Sequence, residues 1–527
     1  MCPFHDAVLV AYIFGGILFY WVLKHLIRGK SDIQHLPKPP AASLLWGHEK
    51  AVYMNEPGQA FRKWTQALGL TYRIKAALRA RDVLVISDPR GIAYILQRKV
   101  YDYHHSEVVR PRIARLLGKG LGWVEGEAEH KRMKHLVSPS LSHENVKAPA
   151  PFEYQADRCQ VIDELTSHIQ TQTNDLPINM VDWMARATLN VIGRVAFLYD
   201  FEAGNSTEAQ RIIHSRRTGA SSALSAAAFF TLMLLRRFPV LNALPIKAIQ
   251  SQGLAKIAVQ QTGVARELVR RNQSHVSETE AVPRKDLLTR LLVAHSSGQL
   301  SRDELYEQIS TFIISGHETT TQTLAFTIYE LSRHPDVQRR LREELAQYAS
   351  EPTYDDFASG MPYLEAVLRE TLRLYPALPY MERVATKADT IPLGRPVKLT
   401  DNETLSQLRI SPGQVVLIPI IAIHRMDSIW KDPDVFRPER WLEPLPPSED
   451  LCNGWANLLA FSDGPRKCIG LRLATFQYKV ILSYMVKRFA FSDANMDIKL
   501  KIASSLQAWV VGREDLGPCL PAHVELL

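Results

Sequence analysis

The sequence predicts a mainly α-helical fold standing behind an N-terminal membrane span, and three patterns carry that prediction. One is an uncharged apolar run from Ala7 to Leu23, another a helical repeat of apolar residues between Ser301 and Pro335, and the third a similar repeat that begins just past Cys468. The composition suits a large globular body, because 527 residues, 46% of them hydrophobic and 22% charged, leave ample material for a core. No linker-like, low-complexity or repeated segment divides the chain after its N-terminal region. The organisation expected is an anchor over 1–30, a proline-rich hinge over 31–45 and one catalytic body over 46–527.

The run Ala7–Leu23 lies at the short end of what crosses a bilayer. Tyr20 and Trp21 suit the interface, and Lys24, Arg28 and Lys30 follow at once, which keeps the C-terminal side in the cytosol. A cleaved signal peptide is the rival reading, but no Lys or Arg precedes the run and no small-residue cleavage site follows it. Leu36-Pro37-Lys38-Pro39-Pro40 then forms a stiff, extended segment that cannot be helix. The formal charge of +8 suits anionic lipid headgroups or an acidic redox partner, or it is simply dispersed. Cys2, Cys159, Cys452, Cys468 and Cys519 are scattered and odd in number. They do not read as a disulfide framework or a CxxC site, and a reducing compartment fits them.

Ser301-Arg302-Asp303-Glu304 has capping-box spacing, and Leu305, Ile309, Phe312, Ile313, Leu324, Ile328 and Leu331 continue at helical intervals up to Pro335. Such a helix spans roughly 50 Å and should cross the middle of the molecule. Its centre, Ser315-Gly316-His317-Glu318-Thr319-Thr320-Thr321, is made of poor helix formers, a conflict of the kind found at functional sites. Gly316 would let the helix open to admit a ligand, while Glu318 and Thr319 pair an acid with an alcohol able to relay protons. A hydrogen-bonded Thr and an exposed Glu on a kinked helix is the plainer alternative. His317 falls on another face and is assigned to structure.

A helix is also predicted from Pro362 to Tyr375, with Pro in its first turn and Pro376 beyond its end. Glu370 and Arg373 share one of its faces, which by itself is an ordinary surface pair. Further on, Phe461-Ser462-Asp463-Gly464-Pro465-Arg466-Lys467-Cys468-Ile469-Gly470 sets one cysteine between glycines and beside two cations, just before a helical pattern begins. Backbone N–H groups of that helix start would point at the Cys468 sulfur, and with the adjacent positive charge they favour the thiolate. Gly464 permits a turn with positive φ, and Gly470 lets a flat ligand approach the backbone. Phe461 would shield the sulfur from water, and Arg466 would reach a carboxylate of the ligand. A buried structural cysteine beside a glycine turn remains the alternative for Cys468 taken alone.

The complete pattern Phe-x-x-Gly-x-Arg-x-Cys-x-Gly resembles the haem-binding loop of the cytochrome P450 family. Ser315 to Thr319 resembles that family's Ala/Gly-Gly-x-Asp/Glu-Thr signature, with Ser315 where Ala is usual, and Glu370, Arg373 and Pro438-Glu439-Arg440-Trp441 occur in the family's order. The resemblance covers nearly everything after the hinge and is densest from Ser301 to Leu473. It implies a cytochrome P450-like fold with a smaller β-rich region, haem b ligated by Cys468, and Arg440 as third member of a buried Glu370-Arg373-Arg440 network. An axial thiolate pushes electron density onto iron and favours O–O cleavage. The resemblance further implies His130, Lys134, Arg383 and Arg466 at the haem carboxylates. His130 and Lys134 stand where the family often has Trp and Arg, and Lys supplies charge without the guanidinium fork.

The same resemblance places substrate walls at 103–123, 221–235, 309–320, 377–381 and 504–509. These are mostly apolar, with Phe312, Ile313, Ala377, Leu378, Tyr380, Leu506 and Trp509 among them, so a lipophilic substrate is implied. The run Ala223–Leu235 is too short to span a membrane; it dips into the interface or is a buried helix, and the sequence leaves both open. The expectation is a haem-thiolate monooxygenase of fungal type, tailoring a secondary metabolite such as a terpenoid. It would sit in the endoplasmic reticulum membrane by a single pass with its body in the cytosol. Its expected partners are membrane lipid and an NADPH-dependent P450 reductase, with no nucleic acid. No Gly-x-Gly-x-x-Gly opens a βαβ pattern, so the chain itself should not bind NADPH. The alternatives are a haem-thiolate isomerase or dehydratase acting on a peroxide without a reductase, and a non-catalytic haem sensor.

Overall fold

The computed structural model describes residues 31–147, 153–172, 176–223, 226–243, 253–260, 263–278, 286–348 and 352–527. The expected anchor lies outside them, and among the described residues no helix is long and apolar enough to cross a membrane. What is described is mainly helical with several small sheets, and the long helix Arg302–Arg333 runs through its largest hydrophobic core. Ser301 caps that helix and Glu304 reaches back to the Ser301 N–H at 2.8 Å, completing the box the sequence predicts. From Gln308 to Ile328 every residue of it is buried except Ser315, Gly316 and Thr319.

The helix is unbroken at Gly316, contrary to the expectation that it opens there. A Cβ at this position would stand 2.8 Å from the Ile192 side chain, so the glycine serves close packing against the helix Met180–Phe197. The helix Leu471–Arg488 is tied to the central one by Gln477 Nε2 donating to the Gly316 carbonyl (3.2 Å) and by the Tyr478–Thr327 hydroxyl contact (2.7 Å).

A five-stranded sheet, in the order Thr71–Ile74, Val83–Ile86, Val415–Ile418, Met381–Ala385, Tyr103–His104, holds the other side. Its edge pairs His104 with Val384, which brings His105 and Arg383 to one corner. The hairpin of Ile498–Ile502 and Leu506–Val510 presents Ser504 and Ser505 at its turn. The proline-rich segment is no free hinge. Ile33 and Leu36 are core residues, the Asp32 carboxylate accepts from the Arg409 side chain at 2.7 Å, and the Pro37 carbonyl accepts from the Arg73 N–H at 3.0 Å. The helix Ala226–Arg237 is partly buried: Ala228, Met233 and Leu235 are in the interior, while Phe230 is 44% exposed.

Glu370, on the helix Pro362–Leu374, has no exposed surface. Its carboxylate accepts from Arg373 Nε (2.9 Å) and Nη2 (2.8 Å), Arg440 Nε (2.9 Å), Trp441 Nε1 (3.0 Å) and the Arg437 N–H (2.9 Å). Burial pushes its pKa up, but Arg373 and Arg440 outweigh burial and hold it below the usual carboxylate value. Arg373 also donates to the His424 carbonyl at 3.0 Å, and His424 Nε2 accepts the Leu459 N–H at 2.9 Å, at the entrance to the cysteine loop.

Glu370→Gln would leave Arg373 and Arg440 without a counter-charge, and a loss of about 3 to 5 kcal/mol in unfolding free energy is expected from denaturant titration. A second expectation concerns pH. Burial above all holds the His317 imidazole down at about 4 and that of His424 at about 3, whereas unfolded histidine titrates near 6.5. Below pH 6.5 the unfolded chain binds the extra protons, so stability present above that pH falls as pH drops toward 4, by up to about 1.4 kcal/mol per pH unit for each histidine. Calorimetry should register uptake of these protons on unfolding at pH 5, and a melting temperature flat between pH 6.5 and 4.5 would contradict it.

Candidate active site

The cysteine loop is folded by its own backbone. The Cys468 N–H donates to the Phe461 carbonyl at 2.8 Å, and Phe461 meets Trp455 edge-on with centroids 5.4 Å apart. Gly464 has φ +68°, and a Cβ there would lie 2.2 Å from the Leu96 carbonyl oxygen, so both the turn and its packing demand glycine. At Gly470 a Cβ would meet only the Cys468 sulfur, at 3.9 Å, which leaves the open room that a flat ligand against the backbone requires.

The Cys468 side chain has exposed surface, yet burial dominates its titration and raises the thiol pKa against hydrogen bonds from the Gly470 and Leu471 N–H groups. The sulfur thus lies deep among protein groups while part of the side chain stays accessible. The two N–H groups are where the sequence predicts them, but they and the neighbouring cations do not lower the thiol on their own. Arg466 turns instead to the Val124 carbonyl (2.9 Å) and Glu125 (3.2 Å). A metal bound at the sulfur would deprotonate it.

Around this loop cations outnumber their partners. Arg383 is buried, makes one long hydrogen bond to the Glu382 carbonyl at 3.3 Å, and keeps its Nε unpaired. Desolvation brings its pKa down to about 10. Lys134 Nζ donates to the Pro465 carbonyl at 2.9 Å, and His130 Nδ1 lies 3.1 Å from the Tyr101 hydroxyl. Burial, then the charges of Arg466 and Lys134, hold His130 at about 4. Arg132, between them in sequence, faces away to Glu129 and Glu304.

The acid near this group is Glu125, which has no signal in the sequence. Burial raises its pKa, but the His105 hydrogen bond at 2.6 Å and the charges of His105 and Arg466 hold it at about 2. Burial and Arg383 keep His105 itself at about 4, so at neutral pH it is a neutral donor to that carboxylate. Desolvated, incompletely paired Arg383 and Arg466, with Lys134 and His130 beside them, are what the carboxylates of a haem would complete. The open side of Gly470 and the accessible sulfur beside it would suit its plane and its iron.

The two central residues of the long helix diverge. Thr319 is half-buried, and its hydroxyl donates to the Ser315 carbonyl at 3.1 Å, while the Ser315 hydroxyl donates to the Thr311 carbonyl at 2.6 Å. Glu318 turns away: it forms an ion pair with Arg216 and accepts from the Ser504 and Ser505 hydroxyls, the latter at 3.0 Å. Of the expected substrate walls, Phe312, Ala377 and Leu506 are apolar and buried. Tyr380 belongs elsewhere, since its hydroxyl accepts the Gly58 N–H at 2.8 Å and its ring packs on Phe61. Arg383→Gln should weaken haem retention several-fold in a transfer assay to apomyoglobin while leaving the absorption maximum of the haem that remains bound unchanged.

Comparison with known proteins follows the same lines. The cytochrome P450 family model matches residues 37–511. The chain is 31% identical to cytochrome P450 monooxygenase claQ of Ampulloclitocybe clavipes, over 90% of each chain. It is 29% identical to cytochrome P450 monooxygenase 205 of Postia placenta, over 88% of this chain and 87% of that one. Monooxygenase 128 of the same fungus is 28% identical over 98% and 95%. With a loop built to hold a metal by one thiolate, a cation cluster suited to porphyrin carboxylates and a family match across nearly the whole described body, the chain belongs to the cytochrome P450 family.

Proposed function

We propose that this cytochrome P450 is a membrane-associated monooxygenase that inserts one oxygen atom from O2 into a lipophilic secondary metabolite, such as a terpenoid, with electrons from an NADPH-dependent reductase. The observation that carries the reading is the Cys468 sulfur, held by two backbone N–H groups and accessible beside the open face of Gly470. Haem, when bound there, supplies the reductive activation of O2. Cys468 would ligate the iron as thiolate, with the Gly470 and Leu471 N–H groups steadying the sulfur. Arg383, Arg466, Lys134 and His130 would hold the haem carboxylates.

Thr319 keeps its hydroxyl proton on the Ser315 carbonyl, which leaves its oxygen free to accept a hydrogen bond on the open side and to pass a proton in exchange. Phe312, Ala377 and Leu506 exclude water and favour an apolar guest. Placement at the endoplasmic reticulum membrane, with the body in the cytosol, is supported by the anchor sequence and by exposed apolar side chains close to where the described chain begins. Leu44 is 83% exposed, and nearby in the chain the Trp46 ring meets that of Phe230, itself 44% exposed, at 5.4 Å.

One observation favours a second reading, in which a peroxide is rearranged without a reductase: Glu318 is committed to Arg216 and is not free to carry protons. Two measurements decide. The reduced protein with carbon monoxide should show the red-shifted Soret band of a thiolate-ligated haem, and Cys468→Ala should abolish it. In Thr319→Ala, NADPH consumption should continue while product formed per NADPH falls about tenfold or more. Coupling unchanged in that variant would favour the peroxide reading.

A further inference from the structure

One acid stands among the cations assigned to the haem carboxylates, and the fold holds it in place. Glu125 Oε1 accepts from the His105 N–H at 2.8 Å and from His105 Nδ1 at 2.6 Å, and its Oε2 accepts from Arg466 Nη2 at 3.2 Å. Both oxygens are thereby committed to protein groups. The side chains of Glu125, Arg466 and His105 are no more than 10% exposed, and Arg383 is buried with them, so solvent screens these charges little. Among the described residues, Glu125 is the one carboxylate whose charge bears on Arg383, Arg466 and His130.

Arg383 and Arg466 each keep a buried Nε without a partner, so Glu125 does not use up the donors that a haem would need. The charges at neutral pH can be counted. Arg383, Arg466 and Lys134 are cationic, whereas His105 and His130, both held at about 4, are neutral. Two carboxylates of a haem would match two of the three cations, and Glu125, held at about 2, matches the third. A fixed charge in a poorly screened interior acts on every other charge near it. A carboxylate beside a haem therefore favours ferric over ferrous iron.

We propose that Glu125 is a third carboxylate of the haem edge, a counter-charge that keeps this edge neutral once haem is bound and lowers the potential at which the iron takes an electron. It is a positioning residue, acting through its charge and its hold on Arg466. The inference rests on the haem-thiolate monooxygenase reading and deepens it, because that potential decides how readily a reductase can reduce the iron.

The test is a spectroelectrochemical titration of the haem-loaded full-length protein at neutral pH, with the reduced-CO band recorded for every variant. Glu125→Gln keeps an acceptor for His105 and removes the charge. At a fixed electrode potential it should raise the ferrous-to-ferric ratio about tenfold, a midpoint rise of about 59 mV, with the CO band unmoved. Glu125→Asp keeps the charge, and His105→Asn removes a partner that is neutral. Each should hold the ratio within about threefold of that of the unaltered protein. A ratio in Glu125→Gln within about twofold of the unaltered protein overturns the counter-charge, as does an equal rise in His105→Asn. Glu125→Asn replaces Glu125→Gln if the latter does not retain haem, and loss of haem from both neutral variants makes the role one of folding and overturns the inference too. In each of these cases a normal reduced-CO band from the unaltered protein leaves the monooxygenase reading in place. Absence of that band overturns both.

Discussion

The position of Cys468 depends on a carboxylate far from it in sequence and wholly removed from solvent. Glu370 gathers Arg373, Arg440, Trp441 and the Arg437 backbone around itself, and the spare donors of the two arginines bind the carbonyls of His424, Lys431, Asp432, Pro433 and Val435. A meandering segment with little regular structure is thereby fixed from both ends. His424 extends the constraint, because its unprotonated Nε2 receives the Leu459 N–H just before the cysteine loop begins. From there the loop closes on itself through Cys468 and Phe461 and packs Gly464 on Leu96. The helix that follows is tied to the central helix at Gly316 and Thr327. The sulfur and the Thr319 face are thus placed by one connected set of buried polar contacts, with the hydrophobic core filling the space between.

Buried charge is treated in two different ways in this molecule. Around Glu370 every oxygen of the carboxylate is matched, so the desolvation cost is offset within the fold itself. Among the described residues, Arg383 and Arg466 each keep a guanidinium Nε in the interior without a partner. Such groups oppose folding unless a guest brings the missing negative charge, which is how a site is kept ready for an anionic ligand at some expense to the empty protein's stability. Glu125 moderates the first cluster, because held at about 2 it stays ionised and prevents five neighbouring basic groups from facing one another alone.

Much of this was legible in the sequence where chemistry and local geometry coincide. The capping box at Ser301 and Glu304, the proline start at Pro362 and the glycine turn at Gly464 each depend on residues within a few positions, and each stands where the pattern puts it. Glu125 and Arg216 were not legible, since Glu125 meets His105 20 positions away and Arg466 341 positions away, Arg216 meets Glu318 102 positions away, and no periodicity reports such meetings. Gly316 shows a subtler limit. A glycine among poor helix formers reads as a weak point, but its missing side chain is used by Ile192 of another helix, so the same residue that lowers helix propensity improves tertiary packing.

Glu318 and Thr319 are neighbours in sequence, yet the helix turns them about 100° apart, and the structure uses that angle to separate their surroundings. Thr319 looks onto the open interior, while Glu318 is enclosed by Arg216, Ser504 and Ser505. A carboxylate in that setting is stabilised as the anion and cannot both keep its ion pair and hand a proton toward the cavity. For it to act as a relay it must leave Arg216, and the departure is costly as long as Arg216 has no other anion to face. Thr319, outside the ion pair, is the member of the acid and alcohol pair that no charged group holds in place.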